Sequence, residues 1–60
     1  MYFSIDKAKN GQYYFVIKSD NHEVVATSET YFYKESAKHT INAIKQNINP
    51  DTLVIDISDY

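Results

Sequence analysis

Ser28, Glu29, His22, His39 and six tyrosines are the side chains of this 60-residue chain that could move a proton or attack a carbonyl. A serine beside a carboxylate, with a histidine in reach, is the raw material of nucleophilic hydrolysis. The pattern around these residues does not assemble it. Ser28 shares the parity of apolar strand positions and points toward a core. His22 falls in a turn, and His39 falls on the polar side of a helix. No Gly-rich phosphate loop, metal-ligand spacing or paired carboxylates occur in the sequence. The absence of cysteine excludes both a thiolate zinc site and a disulfide. No catalytic residue, cofactor or metal site is therefore expected.

The charged residues are the next source of chemistry. All six cations are lysines: Lys7, Lys9, Lys18, Lys34, Lys38 and Lys45. Without arginine the chain lacks the fork that reads guanine edges and clamps phosphates bidentately. Eight carboxylates outweigh the lysines and leave a net charge of −2. Weak, non-specific phosphate binding through the lysines is the alternative function these residues allow. A cysteine-free composition fits the cytoplasm. Strand-like residues from Tyr2 onward leave no room for a signal peptide, and no apolar run could span a membrane.

The elements that must position these groups are legible from parity. Phe3 and Ile5 alternate with Tyr2, Ser4 and Asp6, while Tyr13, Phe15 and Ile17 alternate with Tyr14, Val16 and Lys18. Both segments read as strands with the larger apolar set on odd positions. A two-residue Asn10-Gly11 turn would put the two odd sets on opposite faces. A three-residue Lys9-Asn10-Gly11 loop pairs Ile5 with Phe15 and Phe3 with Ile17 instead, so Gly11 is expected at positive φ. A two-residue Asn21-His22 turn then pairs Ile17 with Ala26 and Phe15 with Ser28. Type I′ geometry there needs positive φ at both turn residues.

Residues 29 to 33 form a loop carrying Tyr31, Phe32 and Tyr33. Ala37, Ile41, Ile44 and Ile48 recur at helical spacing, predicting a helix from Lys34 to Ile48 that ends before Pro50. Leu53, Ile55 and Ile57 alternate as a last strand. The chain thus reads as α+β, in the order β-β-β-α-β: a small antiparallel sheet with one helix packed on one face. A single domain spans residues 1–60.

This arrangement resembles the YegP-like family of small bacterial proteins, domain of unknown function 1508. Phe3, Ile5, Gly11, Tyr13, Phe15 and Ile17 carry the resemblance, followed by Asn21, Val24-Val25-Ala26, Ser28-Glu29, Tyr31 and Lys34. Ala37, Ile41, Ile44 and Lys45 complete it, so residues 2 to 48 are covered. Three positions depart from the family's pattern. His22 stands where Gly is usual, Tyr33 where Ser or Thr caps the helix, and Thr40 where Gly often precedes the helical Ile. Family members often carry two such repeats in one chain, so the resemblance implies that this single-repeat chain forms a homodimer. It implies no activity, cofactor or catalytic residue.

Length leads to the same expectation independently. A chain this small closes a sufficient core with difficulty, and without disulfides self-association is the remaining source of stability. The even face of the sheet, with Tyr2, Tyr14, Val16 and Val25, is the candidate interface. Pairing of edge strands or exchange of the tail from Asp51 to Tyr60 are the other two geometries. The function expected is that of a small, non-catalytic, homodimeric binding or structural module.

Overall fold

A computed structural model describes residues 1–58. Asp59 and Tyr60, the end of the tail considered for exchange, lie outside the described residues. Three strands, β1 (Tyr2–Lys7), β2 (Tyr13–Lys18) and β3 (Val24–Thr27), precede one helix, α1 (Lys34–Asn47). The strands form an antiparallel meander in the order β1-β2-β3. Ile5 pairs with Phe15 and Phe3 with Ile17, as the parity of the apolar residues requires.

The first hairpin closes through the expected three-residue loop. Gly11 donates to the Ala8 carbonyl at 2.9 Å, Ala8 donates to the Gln12 carbonyl at 2.7 Å, and Gly11 sits at φ +83°. The second hairpin departs from the sequence reading. Its loop is Asp20-Asn21-His22 rather than Asn21-His22, closed by His22 donating to the Ser19 carbonyl at 3.0 Å. His22 has φ 68° and Asn21 is not at positive φ, so type I′ geometry is ruled out. Both hairpins therefore use one loop design, with a left-handed third residue. The extra loop residue is absorbed downstream. Ile17 pairs with Ala26 but Lys18 pairs with Val24, which leaves Val25 as the extra residue of a bulge.

Beyond β3 the ladder changes hands from backbone to side chain. Ser28 N–H donates to the Phe15 carbonyl at 2.9 Å, but the Phe15 N–H donates to Ser28 Oγ at 2.9 Å. The chain bends outward at Glu29 and Thr30, then returns at Tyr31, which exchanges two backbone hydrogen bonds with Tyr13. Tyr31 stacks on Phe15 at 6.3 Å, and Phe3 meets Phe15 edge-on at 5.8 Å. Phe15 is the hub of the core for this reason.

Helix α1 starts at Lys34 with Tyr33 as its N-cap, and Tyr33 makes no side-chain capping bond, as its ring chemistry dictates. The helix ends at Asn47, with Ile48 as C-cap donating to the Ile44 carbonyl. It packs chiefly on β2, placing Ala37 fully buried near the sheet. The small side chain at Ala37, rather than at Thr40, permits this close approach. Thr40 instead turns its hydroxyl to the Ser36 carbonyl at 3.1 Å.

The expected last strand is not formed. Leu53, Val54, Ile55 and Ile57 are 69–87% exposed and belong to no ladder. Alternation makes a segment competent to pair but supplies no neighbour, and among the described residues the segment has none. Among the described residues the buried apolar set is Phe15 and Ala37 alone.

Candidate functional site

Two surfaces stand out, one on each side of the sheet. The even face carries three of the four interface candidates. Ser4, Val16 and Thr27 lie side by side across the three strands. Tyr14 and Tyr2 occupy the same face by register. Tyr14 and Val16 are half-buried, while Tyr2 is 39% and Val25 55% exposed. The register thus brings Tyr2, Tyr14 and Val16 onto one face. Val25 stands apart in the bulge, beside the exposed Val24. Tyr2 is engaged within the chain as well: its hydroxyl meets His22 Nδ1 at 2.8 Å, with the rings 5.8 Å apart. This contact holds the second turn against the start of β1.

The second surface was not visible in the sequence. Because α1 sits over β2, the odd face beside β1 is left uncovered. A groove of about 690 Å³ opens there, floored by Phe3, Ile5 and Ile41 and rimmed by Lys38 and Lys45. It continues into a hollow of about 270 Å³ where Ile17, Ile44 and Ile48 converge. Parity and helical spacing identified these residues as core. They did not reveal that the helix would sit over β2 and leave the side of the sheet beside β1 uncovered.

The residues with reactive side chains are dispersed. Ser28 Oγ accepts from the Phe15 amide and donates to the Glu29 carbonyl at 2.7 Å, so it is part of the backbone scaffold. His22 is held by Tyr2, and His39 lies exposed on the helix. Among the described residues no group of three or more His, Asp or Glu is arranged to hold a metal ion. Three lysines have local partners: Lys7 and Lys34 reach the Tyr13 ring at 5.2 and 5.7 Å, and Lys38 meets Glu35 at 3.6 Å. Asp20 accepts from the Met1 amino group, and that hydrogen bond, aided by the positive charge, holds its carboxyl below the usual 3.8. Asp56 is likewise lowered, by the Ser58 hydroxyl first and the Ser58 amide second. No helix of the described residues is long and apolar enough to cross a membrane.

These features define a class: a small α+β module built as a three-stranded meander with one helix, offering surfaces rather than a reactive cluster. Residues 8–54 match the family described as Domain of unknown function (DUF1508), and the chain belongs to that family. It is 42% identical over 50 residues to a UPF0339 protein of Acinetobacter baylyi, covering 83% of this chain and 45% of that one. With the UPF0339 protein YegP of Yersinia pestis it shares 44% identity over 46 residues, 77% of this chain and 41% of the other. The matched stretch thus spans less than half of each of these two relatives. A UPF0339 protein of Neisseria meningitidis serogroup B is shorter; the match, at 38% identity, covers 75% of this chain and 80% of that protein. The fold is shared with a protein from Haloferax volcanii solved by solution NMR, with TM-score 0.76, 30% identity and 92% of each chain covered.

Proposed function

We propose that the protein is a non-catalytic homodimeric module, in which a second copy supplies the apolar cover that one chain lacks. The observation that carries this reading is the imbalance of burial: Phe15 and Ala37 are buried, whereas Leu53, Val54, Ile55 and Ile57 are 69–87% exposed. A set of large apolar side chains this exposed marks an interaction surface. Relatives of about twice this length are what two such units in one chain would give, which supports pairing between single units. The sheet face around Tyr2, Tyr14 and Val16, with Val25 beside it in the bulge, remains the candidate interface for this contact. A cysteine-free chain suits the reducing cytoplasm for this role.

Light scattering over a wide range of protein concentration tests the reading. A mass of twice the 7.0 kDa chain is expected, little changed by salt because the contact is apolar. A single-chain mass at every concentration overturns it.

A further inference from the structure

We propose that the end of the molecule formed by the first hairpin and the start of α1 binds single-stranded nucleic acid. Its lysines take phosphates and its exposed aromatic rings stack on bases. This end is separate from the even face and from the groove beside β1, and its binding does not depend on pairing between copies.

Backbone pairing gathers the residues. Lys7 and Tyr13 face one another across β1 and β2, and Tyr13 exchanges two hydrogen bonds with Tyr31. Phe32 and Tyr33 follow Tyr31, and α1 begins at once with Lys34. Lys34 comes back over Tyr13: its Nζ lies 5.7 Å from the ring centroid, and Lys7 Nζ lies 5.2 Å from the same centroid. Lys9 stands exposed in the hairpin loop at this end.

The first supporting feature is charge. The stretches 7–13 and 31–34 hold three lysines and no carboxylate. Among the described residues no carboxylate pairs with Lys7, Lys9 or Lys34. Two ammonium groups drawn to one ring repel each other, and an anion set between them is attracted by both. Of the flanking acids, Asp6 accepts from the Lys7 amide at 2.7 Å and Glu35 meets Lys38 at 3.6 Å. Glu29 is the one without such a partner among the described residues. The net charge of −2 conceals this basic end, because Asp20 and Glu23 lie in and beside the second turn and Asp51 and Asp56 beyond the helix.

The second feature is the pair of aromatics. Phe32 is 72% and Tyr33 68% exposed, with ring centroids 5.4 Å apart. Tyr33 occupies the N-cap position without a side-chain capping bond, so its hydroxyl is not tied to the helix start. Flat apolar faces beside cations suit a base and its phosphate together, since stacking accepts any base while ammonium groups track the backbone. An acidic peptide would answer the lysines and leave the ring faces with no base to stack on. In a duplex the base faces already stack on one another, so a single strand is the occupant. Lysine binds phosphate as a point charge without arginine's fork, and the binding is therefore without sequence preference.

Titration of the nitrogen-15-labelled protein with oligo-dT and oligo-rU of about 10 nucleotides tests the proposal at low salt. Amide shifts centred on Lys7–Tyr13 and Tyr31–Lys34 are expected with both strands, because the contacts are to phosphates and base faces. The logarithm of the affinity should fall with the logarithm of salt at a slope of about −2, three phosphates at about 0.7 each. Lys7→Gln combined with Lys34→Gln, both exposed side chains, should bring that slope to about −0.7. Phe32→Ala should cost roughly 5- to 100-fold in affinity and leave the slope unchanged, which a purely electrostatic patch would not show. Absence of any shift overturns the proposal. So do shifts centred on Tyr14 and Val16 or on Ile41 and Lys45, and so does a poly-glutamate peptide or inorganic polyphosphate bound as tightly as the oligonucleotides.

Discussion

Replacing Gly11 by Ala isolates the backbone term of the first hairpin. Gly11 sits at φ +83°, and a Cβ built on it meets no atom within 4 Å. Steric conflict with the rest of the fold therefore contributes nothing, and the cost is local. An L-residue held in the left-handed region loses about 1–2 kcal/mol relative to its preferred conformations. Ala also narrows the unfolded ensemble, which offsets about 0.4–1 kcal/mol of that loss. The net expectation is a destabilisation of about 1 kcal/mol. For a domain of this size that corresponds to a fall in Tm of about 4–8 °C. Thermal unfolding followed by circular dichroism reads it directly, at one fixed protein concentration so that a concentration-dependent Tm does not enter the comparison. His22→Gly is the companion, since His22 holds φ 68° in the equivalent position of the second loop. Relief there is opposed by loss of the 2.8 Å contact to Tyr2, so its effect is smaller than that of Gly11→Ala. An unchanged Tm for Gly11→Ala would refute the assignment of a left-handed third residue to the first loop.

Two further perturbations follow from single contacts. Ser28→Ala removes the acceptor of the Phe15 amide on a residue only 4% exposed, so denaturant unfolding should show a loss of about 1–3 kcal/mol; a neutral result would mean that the amide finds another partner. Asp20 should titrate below 3.8 in an NMR pH series, with the Met1 amino group as the cause. A depressed carboxylate stabilises the fold at neutral pH, and that contribution is lost as acid carries the group through its lowered value. Acetylating the amino group should return Asp20 toward 3.8, and an unmoved titration would dismiss the pairing.

The parts of the fold that were legible are those in which one local rule decides between two outcomes. Parity alone chooses the Ile5–Phe15 register, because the other register splits Phe3 and Ile5 from Phe15 and Ile17. Gly11 then follows from loop length. The second turn was misread because the same test was passed in two ways. A two-residue loop and a three-residue loop with a bulge at Val25 both pair Ile17 with Ala26, and only the φ values at Asn21 and His22 separate them. The Ser28 hydroxyl standing in for a ladder carbonyl was equally invisible, since hydrophobic pattern carries no information about which polar atom completes a hydrogen bond.

The groove and the tail were illegible for a deeper reason, and it is shared. Periodicity specifies how a segment would lie if it had a neighbour, and it is silent about whose chain that neighbour belongs to. Ile41 lies on the inward side of the helix, yet it faces a groove that none of the described residues fills. Leu53, Ile55 and Ile57 were read as a strand, yet the chain offers them no ladder. Both are largely apolar: the groove has Lys38 and Lys45 in its lining, and the tail carries Asp51 and Asp56. Exposed β-competent segments invite aggregation, so both surfaces carry a cost for as long as nothing covers them.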